Sequence, residues 1–423
     1  MSGVRAYEGR IGAAVRGFVD GLLRFDRAIV HSLSGLDAEE SAQPIIVILQ
    51  AYQSLLGGMR PQAQVCAAVR RMDTGGLTEL ESAHLDVVRE LLHGAYDSAG
   101  ETLLQISKQF PADELAVAAG HQVDFLQGDN ETRLHRLSSS PMLLDRAAPG
   151  YPYLLAMLAF AYSENQEHGK AYEAGTLALS LAPHDNPWAV HACAHSLFET
   201  RDYQDVSRLL SSTQGNWSSD DCLLRTHLSW HFALNAMATH DEAALARLTG
   251  DLTAVVRQEC SAMQFCDLVS LLWRLRLTGR EVAADFDSTL DTAIRLQGVS
   301  NSAFVDMHIL LAVIGGGRYD LARQMAREMC AESADVAPHL RSVRRTAVDV
   351  AESFLHYCQS DPVQAVRQLL SVYPALIAVG GSEIQRDLVL ELLITCDLDR
   401  TADPSLFGTA GLDARPLVTR RIA

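Results

Sequence analysis

Helix-length stretches of apolar residues at helical spacing recur along nearly the whole chain, separated by short breaks at Gly, Pro, Asp or Asn, and this pattern limits the fold more than any other feature. Two-residue alternation, the mark of a half-buried strand, is weak throughout. The unit is clearest in YPYLLAMLAFAYSENQEHGKAYEAGTLALSLAP, where an apolar helix, a short polar turn and a second helix end at Pro183. Small residues at Ala159, Ala171 and Ala178 let two antiparallel helices approach, and Leu158, Tyr162 and Leu179 supply the bulk between them. The unit is about 34 residues long.

That arrangement of small and large residues approximates a tetratricopeptide repeat. Fainter copies precede it, in HLDVVRELLHGAYDSAGETLLQISKQFPAD, and follow it, in RDYQDVSRLLSS and in THLSWHFALNAMATHDEAALARLTGDL. Later pairs are expected at FVDMHILLAVIGGGRYDLARQMAREMC and DVAESFLHYCQSDPVQAVRQLLSVYP. The expectation is an all-α, tetratricopeptide-like α-solenoid over residues 81–400, with an N-terminal helical cap over 1–80 and a tail over 401–423. Its concave side should curl into an enclosed cavity. The N-terminal helices should cap the array or pair two subunits as a homodimer. Hydrophobic residues make up 48% of the chain and aromatics only 6%, a balance that suits a large core of closely packed helices.

The net charge of −17 repels phosphate backbones and anionic lipid, so neither nucleic acid nor a membrane surface is expected as partner. The basic run RSVRR at Arg341 to Arg345 is a short exception. No secretory signal is evident at the N-terminus, and the apolar run from Pro44 is too short to span a bilayer, so a soluble, cytoplasmic chain is expected. Eight cysteines without a C-x-x-C pair read as reduced thiols.

Two segments carry chemistry. His191 and His195, and again His227 and His231, form H-x-x-x-H pairs about one repeat length apart. A four-residue step puts both rings of a pair on one helix face, and each pair falls on a first helix of its repeat. In such arrays the first helices line the groove, so the pairs should converge. Neutral imidazoles ligate zinc, iron, copper or nickel, so a divalent metal is a candidate cofactor, and Glu199 continues the first face as a carboxylate. The competing reading is a set of groove-lining histidines bonded to backbone, Asp or Tyr. Trp230, Trp273 and Arg274 are candidates for the wall of a pocket, or for core, and Tyr153 is a further binding candidate. His121 and Asp124, three residues apart, read as one hydrogen-bonded pair. The glycines at 315–317 lack the context of a phosphate loop.

The order of motifs from about His84 to about Leu393 resembles that of the tetratricopeptide-repeat protein 38 family. The resemblance rests on LAPHDNPWAVHACAHSLFE, THLSWHFAL, DLVSLLWRLRLTG, FVDMHILLAVIGGGRYDLARQM and GGSEIQRDL. It implies an all-α solenoid and adds Phe304, Asp306 and His308, together with Gln385, Arg386 and Asp387, to the candidate site. Glu383 stands where the family pattern has a histidine, which implies altered chemistry or a carboxylate in its place. Without the resemblance, Asp306 reads as a helix N-cap and Gly380 to Ser382 as a turn that caps a helix.

Two functions follow from these readings. One is a histidine-lined pocket for a small molecule, with His191, His195, His227 and His231 as metal ligands or acid/base groups and Arg386 pairing an anionic substrate. The other is a scaffold that takes a peptide or partner protein in its groove.

Overall fold

The protein's structure, a computed structural model, describes residues 7–258, 260–331 and 336–398, and the tail expected at 401–423 lies outside them. The described residues form helices and no strand, apart from one isolated antiparallel bridge between Asp26 and Cys222. The chain divides into two compact units, Met1–Leu248 and Thr249–Ala423.

The first unit opens with α1 (Gly9–Arg24) and α2 (Pro44–Leu55). Helix pairs follow: α3 (Glu79–Leu92) with α4 (Tyr96–Gln109), α5 (Glu114–Leu126) with α6 (Asn130–Ser138), α7 (Tyr151–Glu164) with α8 (His168–Leu181), and α9 (Pro187–Glu199) with α10 (Tyr203–Ser212). A further first helix, α11, runs over Arg225–Ala238. The first helices start at a step of about 36 residues, near the repeat length read from the sequence.

Local chemistry sets these boundaries. Thr78 and Glu81 form a reciprocal capping box at the start of α3, and the side chains of Asp113, Asp129, Asn186 and Asp202 accept from backbone N–H groups at the starts of α5, α6, α9 and α10. Each turn inside a pair contains one left-handed residue: Gly94, Gly128, Gln166 and Arg201. The same backbone device therefore closes every pair, even where the residue is not glycine.

Within the unit each helix packs on its successor, and α7 also packs on α9. Close approach depends on small residues. A Cβ at Gly175 of α8 would lie 2.6 Å from the Cys193 sulfur of α9. The side chain of Asn186 also donates to the carbonyl of Pro152 at 3.1 Å, tying the start of α9 to the start of α7.

Buried polar groups are paired across helices. The Tyr52 hydroxyl donates to His84 Nδ1 at 2.9 Å, and His84 Nε2 donates to Asp113 at 2.9 Å, joining α2, α3 and the cap of α5. Arg136 grips Asp124 with two bonds, of 2.7 and 3.0 Å, and donates to the Gly100 carbonyl. Asp124 is thus the partner of Arg136 and not of His121, contrary to the sequence expectation.

The N-terminal helix packs on α5 and α7, two first helices. It ends at Phe25 in the left-handed conformation, and the Phe25 ring meets Trp188 of α9 at 5.1 Å. The chain then bonds to residues just before α11: Leu223 N–H donates to the Phe25 carbonyl and Arg27 N–H to the Asp221 carbonyl. The segment from Gly9 to Arg27 therefore runs along the side formed by the first helices.

Gly120 allows the buried Arg136 guanidinium to sit against α5, since a Cβ there would lie 2.5 Å from it. Gly120→Ala should lower the free energy of unfolding by about 3 kcal/mol, because displacing Arg136 breaks a buried ion pair. Gly169→Ala, with open space around it, should change stability by less than about 0.5 kcal/mol. Urea denaturation of the two variants measures the difference.

Candidate metal centre

Asn186 and Pro187 start α9 so that His191 and His195 fall on the face turned toward α11. From α11, His227 and His231 come back to meet them. The four rings are buried and touch directly, with centroids 4.4 Å apart for His191–His195, 4.7 Å for His227–His231, 5.0 Å for His191–His227 and 4.8 Å for His195–His231. One ring nitrogen from each lies within 4.8 Å of those of the other three. The convergence expected of the two H-x-x-x-H pairs is present. The rings meet one another and not an open space.

Aromatic side chains wall the cluster. Trp230 stacks on His227 at 5.2 Å, and Phe160 of α7 packs against His191 and His195 at 4.9 and 5.0 Å. Phe198 covers His231 at 5.5 Å. Burial pushes the His191 imidazolium well below the ordinary histidine range, reinforced by His195, His227, His231 and His121. Burial also lowers His195, although Glu164 opposes the shift.

Polar contacts orient three of the rings. His227 Nε2 and His191 Nε2 face each other at 3.1 Å. His195 Nδ1 lies 3.5 Å from the Glu164 carboxylate, both groups buried, while His195 Nε2 has no hydrogen-bond partner among the described residues. A carboxylate thus touches the cluster from the last turn of α7. Glu199 is half-buried at the end of α9. Tyr153 donates to Asp185 at 2.9 Å, beneath the Arg24 guanidinium.

The remaining candidates belong to the second unit, on four of its helices. There α12 (Ala262–Leu277), α13 (Ala303–Gly315), α14 (Pro338–Cys358) and α15 (Glu383–Leu398) supply them. Asp306 does not cap α13. Ser302 occupies the N-cap position, and Asp306 pairs with Arg344 of α14 at 2.7 Å, with both groups buried. Trp273 is a core residue whose indole donates to the Leu311 carbonyl, whereas Arg274 donates to the Ile384 carbonyl and to Glu391.

Gly380 and Gly381 carry positive φ before α15, and a Cβ at Gly381 would lie 2.4 Å from the Phe304 ring. Ser382 and Gln385 then cap the helix reciprocally, as the turn reading expects. Arg386 donates to the Gly381 carbonyl, so it secures the same turn. Glu383 opens α15, and Asp387 is buried one turn on.

His308 Nδ1–H donates to the Phe304 carbonyl at 2.8 Å, which leaves the lone pair on Nε2. Burial, with Arg274 nearby, lowers its pKa to about 4, although the bond to Phe304 opposes the shift. No family model matches the chain.

A neutral histidine buried in this way is a pH liability with a definite sign. Because the folded value is depressed, the stability at stake is intact above pH 6.5 and is lost as pH falls from 6.5 to about 4. The full loss from His308 is about 3 kcal/mol. His308→Leu should match the parent near pH 7 and lose less stability between pH 7 and 4, as measured by denaturation at both values.

Proposed function

We propose that this is a tetratricopeptide-like repeat protein whose first unit binds one divalent transition-metal ion through His191, His195, His227 and His231, and through that ion a small-molecule ligand. The observation that carries the reading is the mutual approach of four buried ring nitrogens within 4.8 Å. At metal–nitrogen bonds of about 2.0 Å, tetrahedral ligand atoms stand about 3.3 Å apart, so the 3.1 Å between His191 and His227 is already close to a ligand edge. Modest ring rotations bring in the other two.

An all-imidazole set suits zinc, copper, iron or nickel and disfavours calcium or magnesium, which seek oxygen. A bound ion would supply Lewis acidity in a dry site. His191 and His195, held neutral by burial, keep their lone pairs at physiological pH. Glu164 accepts from His195 Nδ1–H and so fixes the tautomer that leaves the lone pair on Nε2, the usual outer-shell role of a carboxylate. The resemblance of the motif order to that of the tetratricopeptide-repeat protein 38 family supports the repeat reading, and with it a solenoid whose concave side is histidine-lined.

The scaffold reading has less support. A peptide groove needs an open first-helix side, and here the chain's own segment from Gly9 to Arg27 lies along that side of the first unit.

The protein should carry or take up one transition-metal ion per chain by elemental analysis, and His191→Ala/His227→Ala should abolish uptake. Absence of metal after both native purification and reconstitution would overturn the reading. Glu164→Gln should keep the stoichiometry and weaken affinity by about 10- to 100-fold, measured by competition with a chromophoric chelator.

A further inference from the structure

Beside the four-histidine cluster lies a wall of polar atoms that the described residues do not satisfy. His121 of α5 is 1% exposed, yet neither of its ring nitrogens has a hydrogen-bond partner among the described residues. The same holds for the indole Nε1 of Trp188, buried at the start of α9. The two rings meet edge to face at 5.5 Å, and Trp188 abuts His191 at 5.6 Å. Phe160 packs against His121, Trp188, His191 and His195 alike. An unpaired buried donor or acceptor costs about 1–3 kcal/mol, so several in one wall point to a partner from outside the chain.

The chemistry of that partner follows from the atoms. An indole N–H can only donate, and a neutral imidazole has one N–H and one lone pair. Burial and the charges of Arg133 and Arg136 keep His121 neutral. Arg136 is bonded to Asp124, and Arg133, which donates to Asn130 Oδ1 at 2.8 Å, lies buried over the Phe160 face at 4.7 Å, where its charge also bears on His195. The surroundings thus offer N–H donors, an aromatic surface and two guanidinium groups, set against the buried carboxylates of Asp124 and Glu164. Four neutral imidazoles would also leave both charges of a bound divalent ion uncancelled by its ligands, which favours an anion alongside.

We propose that His121 and Trp188 form a subsite for a small carboxylate next to the four-histidine centre. Its oxygens accept from Trp188 Nε1–H and from the N–H of His121, and its apolar part lies against Phe160. The hydrogen bonds stand on this wall alone, whereas the anion's attraction to the centre rests on the metal reading above.

The test uses calorimetric titration of the full-length protein, metal-free and zinc-loaded, with acetate, pyruvate and benzoate, each set against its neutral amide. Zinc uptake is measured in the same preparations. His121→Phe and Trp188→Phe keep a ring in place and remove the nitrogens. The expected result is binding of at least one carboxylate but not its amide, weakened at least tenfold in whichever of the two variants folds, with zinc uptake unchanged. Carboxylate binding that the variants weaken in a protein that takes up no zinc would uphold the subsite and sink the metal reading. Zinc uptake with no carboxylate binding, or with binding that the variants leave unchanged, would overturn the subsite and keep the metal reading. Neither binding would overturn both.

Discussion

Four imidazoles pressed together in a dry interior set the terms for the first unit. Two ring nitrogens that face each other at 3.1 Å, as in His191 and His227, are reconciled by a single proton held between them. His195 aims a second lone pair into the same space, because Glu164 takes its other nitrogen. Protonating the cluster is opposed by burial and by the mutual repulsion of the rings. A cation would accept several lone pairs at once, and the proposed ion rests on that chemistry.

The helical step explains how such a cluster arises. Each pair of histidines needs only an i, i+4 spacing on a first helix, and a step of about 36 residues between first helices sets the two helices so that the pairs meet. That much was legible in the sequence: helix content, the pairing of helices, and the meeting of His191, His195, His227 and His231. Asn186, Pro187 and the left-handed turn residue of each pair are local signals, and local signals survive in a one-dimensional reading.

What stayed hidden was the choice of partner by buried charged groups. Asp124 stands three residues from His121, and spacing alone pairs them, but Arg136 offers two strong bonds where the histidine offers one. Asp306 looked like a cap until Arg344, from a helix later in the chain, claimed it. Glu164 sits in an unremarkable turn sequence, and nothing in its spacing marks it as the carboxylate of His195. Each of these outcomes depends on which helix faces which, and the local pattern does not encode it. The later motifs do belong together, since Gly381 rests on Phe304 and Arg274 binds the first turn of α15 within the second unit.

The N-terminal segment decides what size of molecule the first unit suits. Phe25 sits on Trp188, and Trp188 sits on both His121 and His191, so the start of the chain closes over the same aromatic wall that borders the cluster. A peptide laid along the first helices would have to displace α1, whose buried residues Val15, Phe18, Val19 and Leu22 form part of the core. Stripping four such side chains from the interior costs on the order of 6–12 kcal/mol, which would consume the roughly 8 kcal/mol that a micromolar peptide contact returns. The proposed ion or small acid is small enough to need no such displacement of α1.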